Sequence, residues 1–376
     1  MKTLIKHGKI VLPDCSGFAD ADLLMEDGRI LAIGKDLTAE NTIDATGKYL
    51  LPGLIDVHCH GALGYYFGCE EDNCKMLRFF AEKGITTVLP TTGTNTLEIL
   101  LERIERILAH KDLRDDVARI GGIHMEGPFI STQKKGAMSA PPLACNLENF
   151  NRLIDAGKGE IKLMTIAPER ENAVDVIREG VKRGVRMSLG HTMATYDEAM
   201  AGILAGASHA THTFNAMREY NHREPGVIGA VLTESSVTCE AICDMIHLAP
   251  ATVKLILQAK GLDRVILISD AVLITGMPDG EYEYEGNIRV LKDGICRQKG
   301  TNTIAGSCFT MADGAKNLVK LGLSLADVAR VGSLNPAKEA GLDGDLGSLE
   351  AGKCADILIC DQAMNIEQVI LRGNRI

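Results

Sequence analysis

Positive charge is scarce in this sequence: 40 lysines and arginines face 50 aspartates and glutamates, a formal net charge of −10. General binding to nucleic acid or to an anionic membrane needs a basic surface that neutralises phosphates, so neither is expected as a partner. A phosphorylated substrate fits only a pocket that is locally basic. No run of about 18 apolar residues is present to span a bilayer, and the opening Met1-Lys2-Thr3-Leu4-Ile5 lacks the apolar stretch of a secretory signal. These absences predict a cytoplasmic protein. Paired cysteines are missing too. The eleven cysteines are odd in number and include no C-x-x-C spacing, which disfavours a structural zinc ribbon and predicts reduced, mostly buried thiols. Any metal must then be held by histidine and carboxylate.

A helical period is absent from residues 1–50, where short strand-like runs alternate with turn signals such as Glu26-Asp27-Gly28. The C-terminus has the same texture, with Ala355–Cys360 and Gln368–Leu371 bounded by Gly352 and Gly373. Two all-β pieces at opposite ends can complete one small domain, because termini commonly lie close together. We therefore expect a small β-sandwich domain from residues 1–52 plus 341–376, beside a body from residues 53–340.

In that body, apolar strand runs alternate with amphipathic helical stretches, the pattern of parallel strands with helical crossovers. Eight strands are predicted: Leu54–His60, Gly84–Thr91, Ala118–Glu126, Ile161–Ala167, Val185–His191, Ala207–His212, Val237–Ile246 and Arg264–Asp270. Between them, Thr195-Tyr196-Asp197-Glu198 has capping-box spacing, and Ile99, Leu100, Ile104, Ile107 and Leu108 recur at helical intervals. Eight units with 45% hydrophobic residues fit a closed (β/α)8 TIM barrel.

Catalytic groups of such barrels project from the C-terminal ends of the strands. Here those ends carry His58-Cys59-His60, His124-Met125-Glu126, His191, His209 with His212, His247 and Asp270. His58 and His60 share a face, so one cation near the barrel axis can meet both imidazoles. Taken alone the pair is equally well read as structural. Glu126, His191 and His212 finish three different strands, and only their joint placement with the pair points to a metal. His124 shares a face with Glu126 and is read as a supporting group, while His209 is read as a hydrogen-bonded core histidine. Asp270 ends the apolar run Arg264–Ser269. It is placed to take a proton from a metal-activated water and deliver it to a leaving amine, although a helix N-cap would also explain it.

The residues also resemble a known family, the amidohydrolase superfamily and, within it, the N-acetylglucosamine-6-phosphate deacetylases. The resemblance is carried by Pro52–Gly61, Glu126-Gly127-Pro128-Phe129, Lys134–Ala137, Gly190-His191-Thr192, His212–Met217, Arg223–Gly226, Ser269-Asp270-Ala271 and Ile304–Ser307. It implies a principal metal on Glu126, His191 and His212, and a second one helped by His58 and His60. It also implies substrate contacts at Ala137, Asn215, Ala216, Arg223, His247, Ile304, Ala305 and Gly306, with Asp270 as the catalytic acid and base. The implied cofactor is one or two divalent ions, zinc first, with iron or manganese as alternatives. The implied ligand is an amino-sugar phosphate, bound by a homodimer whose subunits share the phosphate site. Many superfamily members bridge two ions with a carboxylated lysine after strand four. Here Ala167-Pro168-Glu169 stands there, which passes the bridge to Glu126.

The family often has histidine where Met138 stands and Asp-Gly where Asp244-Met245 stands. Both positions lie in substrate-facing loops. They keep open the galactosamine epimer or another N-acyl compound as substrate, and a non-catalytic binding protein on the same barrel is the alternative from another class.

Overall fold

The computed structural model describes residues 2–69, 73–111, 114–284 and 286–376. Met1, the first residue of the expected terminal domain, lies outside them. Eight parallel strands pair in chain order: Leu54–Cys59, Ile85–Thr92, Ile123–Phe129, Ile161–Ile166, Arg186–Leu189, His209–Ala210, Thr238–Ile242 and Val265–Ile268. The eighth returns to the first through the Cys59–Ala271 bridge and the Asp270 amide, which donates to the His58 carbonyl at 2.9 Å. Residues of the first two strands are buried on both faces, as expected of barrel strands covered by helices.

Each strand is followed by a helix that covers it: Cys74–Glu82, Leu97–Ala109, Leu147–Ala156, Ala173–Lys182, Tyr196–Leu204, Gly226–Thr233, Pro250–Lys260 and Met311–Lys320. Local chemistry sets their starts. The Thr96 side chain accepts from the Ile99 amide, and Thr195 and Glu198 form the reciprocal capping box that their spacing predicted. On Leu97–Ala109 the buried stripe is Leu97, Leu100, Arg103, Ile104 and Ile107, whereas Ile99, one of the predicted periodic residues, is 38% exposed.

Two strands differ from expectation in ways that matter for the site. The third is split: Arg119–Ile120 pairs with the second strand, and the barrel strand proper begins at Ile123, after Gly121-Gly122. A side chain at Gly121 would run into Thr87 and Leu342, so the two glycines let the backbone step between neighbours. The seventh ends at Ile242, not Ile246. There the Asp244 carboxylate accepts from the amides of Ile246 and His247 at 2.8 and 2.9 Å, closing a turn that carries His247 over the barrel mouth.

A three-stranded antiparallel sheet, Gly280–Tyr284, Asn287–Lys292 and Ile295–Gln298, follows the eighth strand before the last barrel helix. Both chain ends meet in a separate eight-stranded sheet. Its strand Tyr49–Pro52 lies between Thr3–Val11 on one side and Ile357–Cys360 on the other, and Thr3–Val11 also pairs with Phe18–Glu26 and Asn41–Asp44. All described cysteines are free, and most are buried. Among the described residues no helix is long and apolar enough to cross a membrane.

Candidate metal centre and substrate cavity

At the C-terminal mouth of the barrel, side chains from four other strand ends converge on Glu126, itself only 2% exposed. His191 Nε2 and His212 Nε2 each lie 2.9 Å from Glu126 Oε1 and 3.0 Å from one another. His58 Nε2 is 3.3 Å from the same oxygen, while His60 Nε2 is 3.1 Å from Glu126 Oε2. Asp270 Oδ1 closes the group at 3.3 Å from His60 Nε2 and 3.6 Å from His58 Nε2. Two overlapping triads result, Glu126-His191-His212 and His58-His60-Glu126, with Glu126 common to both.

The backs of these rings decide what their fronts can do. His191 Nδ1 meets the Lys134 carbonyl at 2.6 Å, His60 Nδ1 meets the Thr91 carbonyl at 3.1 Å, and His58 Nδ1 meets Glu240 at 2.9 Å. A carbonyl only accepts, so the proton of a neutral ring sits on Nδ1 and the bare Nε2 lone pair faces the Glu126 carboxylate. Lone pairs packed about 3 Å apart repel unless a cation lies among them. Burial works against charge on His58, yet Glu126 and Glu240 outweigh it and push the ring well above its ordinary range. Burial would likewise raise Glu126, but His58, His191 and His212 hold it well below the usual carboxylate range. A tetrahedral ion with bonds of about 2.0 to 2.1 Å needs donors a little over 3 Å apart, and three of the four rings, those of His58, His60 and His191, have an acceptor behind Nδ1, so the donor set fits a divalent metal.

Backbone strain is concentrated at the same point. His191, His212 and Asp270 have φ of 48°, 26° and 52°, the left-handed region that costs a residue with a side chain roughly 1–2 kcal/mol. Such strain persists where surrounding structure fixes it. Glu169, which follows the fourth strand, accepts from the Met193 amide at 2.7 Å and so braces the turn after His191.

A cavity of about 690 Å3 opens onto the cluster. Of the predicted substrate contacts it is lined by Ala137, Asn215, Ala216, His247, Ile304, Ala305 and Gly306, together with Asp270. Arg223 is not brought there. It is exposed and lines an adjoining cavity of about 570 Å3 with Arg218 and Lys134. His124 does not touch Glu126; its ring bonds the Val57 carbonyl at 3.1 Å and Thr165 at 2.9 Å, and burial beside His58 pushes it well below the ordinary histidine range. His209 is a core histidine, held between Glu240 and Glu339.

Two contributors were not read from the sequence. Glu240, wholly buried in the seventh strand, bonds His58 and His209 and accepts from the His212 amide at 2.9 Å. A carboxylate in the middle of an apolar strand was its only signal. Arg289 enters the cavity wall from the three-stranded sheet, whose Asp293-Gly294 hairpin turn was visible in the sequence.

Comparison with known proteins agrees with this geometry. The sequence is 32% identical over 360 residues to an N-acetylglucosamine-6-phosphate deacetylase of Lysinibacillus sphaericus, covering 94% of this chain and 92% of the relative. It is 33% identical over 376 residues to an N-acetylgalactosamine-6-phosphate deacetylase of Escherichia coli O157:H7, covering 99% and 98%. The structure superposes with a TM-score of 0.91, at 32% identity, on a mutant N-acetyl-D-glucosamine-6-phosphate deacetylase of Mycobacterium smegmatis in complex with N-acetyl-D-glucosamine-6-phosphate, covering 100% of this chain and 99% of that one. A sequence model of the amidohydrolase family matches residues 49–376, and with that span and those relatives the chain belongs to the amidohydrolase family.

Proposed function

We propose that the protein hydrolyses the N-acetyl amide of N-acetylglucosamine 6-phosphate to glucosamine 6-phosphate and acetate, in amino-sugar catabolism. One observation carries the reading. The cavity floored by Glu126, His191 and His212 also gathers Asp270, His247, Asn215, Ala216 and the Ile304–Gly306 loop, in a chain whose near-full-length relatives are named for this activity.

Glu126, His191 and His212 would hold the principal divalent ion, with His58 and His60 placed for a second that Glu126 would bridge. Bound there, the metal supplies Lewis acidity and a water of near-neutral pKa, with zinc our first choice and iron or manganese the alternatives. Asp270 accepts the proton of the attacking water and passes it to the departing nitrogen. His247 Nδ1 is held by Asp244 at 2.7 Å, which leaves Nε2 to donate to the acetyl carbonyl as negative charge develops on it. Burial opposes the charge on His247, but Asp244 outweighs it and raises the ring, favouring the donor form.

Arg223 lies outside the cavity on an exposed loop, which supports its contributing to the phosphate site of the partner subunit in a homodimer. Free, largely buried thiols support a cytoplasmic setting. The sheet that joins both termini supports dividing the chain into 1–52 plus 341–376 and 53–340. A complete donor set speaks against the non-catalytic binding protein.

The galactosamine epimer is the second reading. Met138 lines the cavity, and the Escherichia coli relative named for that epimer aligns over 99% of this chain. Acetate release from both epimeric N-acetylhexosamine 6-phosphates, using metal-replete protein, decides between them. Asp270→Asn should retain the metal while turnover falls by about 10²–10⁴-fold, the range for a lost acid-base group. No acetate from either epimer would refute the proposal.

A further inference from the structure

We propose that Arg289 is a specificity residue that receives the anionic group of the substrate within the subunit's own cavity. The inference rests on the phosphorylated substrate proposed above and adds a contact that the resemblance does not supply. Arg289 projects from the middle strand of the three-stranded sheet and lines the cavity that holds the Glu126 cluster. Its Nη1 is fully buried and has no hydrogen-bond partner, and among the described residues no carboxylate pairs with the guanidinium. Arg289 as a whole is half-buried, and a guanidinium nitrogen sealed from water without an acceptor is satisfied by an anion that enters the cavity.

The surroundings agree. Among the described residues the only carboxylates in the cavity wall are Glu126 and Asp270, both committed to the histidine cluster, whereas Lys134 and Lys135 line the wall together with Arg289. A chain of net charge −10 thus gathers cations along this side of the cavity. Arg289 is also held in position. Its guanidinium lies over the Tyr284 ring, 5.8 Å from the centroid, and Tyr284 stacks on Tyr66 at 5.0 Å. The Tyr66 hydroxyl reaches His60 Nδ1 at 3.1 Å, so one run of rings spaces the cation from the proposed metal. Asn287, two residues away, donates to Ser139 Oγ at 2.8 Å and ties the sheet to the loop that carries Ala137 and Met138. A planar guanidinium at a fixed distance from the reacting end can select a phosphorylated sugar over its unphosphorylated form.

The test compares kcat/KM for an N-acetylhexosamine 6-phosphate and for the same sugar without phosphate, in wild type, Arg289→Gln, Arg289→Lys and, as a control in the same sheet, Lys299→Gln. Arg289→Gln should lower the ratio of the two by about 10- to 100-fold, the worth of a charge-assisted contact. Arg289→Lys should recover part of it, and Lys299→Gln should keep the wild-type ratio. An unchanged ratio in folded Arg289→Gln overturns the inference while leaving the deacetylase reading standing. If wild type acts on neither phosphorylated epimer, that reading fails by itself, and inorganic phosphate then judges Arg289. A rise in Tm with phosphate in wild type that is absent in Arg289→Gln supports the anion site, and an equal response in both overturns it.

Discussion

His191 and His212 hold their Nε2 atoms 3.0 Å apart, both aimed at one oxygen of Glu126. Removing either should empty the principal metal position, whereas removing His58 or His60 should cost only the second. Elemental analysis of His191→Asn and His58→Asn checks this. His191→Asn is expected to lose activity to the assay limit, and His58→Asn to keep about one ion per subunit with measurable turnover. The opposite ranking would exchange the two sites.

Glu240 does not line the substrate cavity, yet it fixes both His58 and the His212 amide. Groups behind metal ligands typically contribute about 10–100-fold to affinity. Glu240→Gln is therefore expected to weaken metal binding by that range in a chelator competition. Unchanged affinity would make Glu240 a packing residue only.

Gly306 has φ of 69°, and a Cβ there would fall 2.2 Å from Val272 Cγ1 and 3.0 Å from the Asp270 carbonyl oxygen. The loop cannot accept a methyl group without moving Asp270. Gly306→Ala should lose about 1–3 kcal/mol of stability and about 10–100-fold in kcat/KM, since small misplacements of reacting groups are costly. Denaturant melts and initial rates measure the two effects, and a variant with wild-type values would show a looser loop.

His209 is wholly buried, with Glu240 at 3.0 Å, Glu339 at 3.3 Å, and Arg186 bound to Glu339 at 3.0 Å. Burial disfavours charge on the ring, but its two carboxylate partners outweigh that and push it up to about 9. A folded pKa above the unfolded value adds stability that is complete below about pH 6.5 and lost as pH rises through the folded pKa. Unfolding free energy of the metal-replete protein should thus fall between about pH 6.5 and 9, by on the order of 3 kcal/mol at most. His209→Gln should flatten that slope, and parallel curves for both proteins would contradict the assignment.

Much of this was legible because parallel barrel strands are buried and largely apolar, so that the histidines and carboxylates that end them stand out. His58, His60, Glu126, His191, His212 and Asp270 were each found at such an end and do converge. Residues whose position depends on partners distant in sequence were harder to read. Glu240 sits inside a run that otherwise spells a buried strand, and only its contacts with His58 and His209 explain it. His247 was placed directly at a strand end, but the Asp244 turn separates them. Arg223 carried a motif yet points to a neighbouring cavity, while Arg289, in strands with few apolar residues, had no motif at all.

The sheet shared by both termini also sets a schedule for synthesis. Tyr49–Pro52 is made before any barrel strand, but one of its edges is covered only by Ile357–Cys360, within the last twenty residues of the chain. Throughout translation that edge stays open to other strands, and an unpaired edge is a template for aggregation. A chain terminated after the eighth barrel strand but before Ile357 therefore carries a complete set of barrel strands and an adhesive flank.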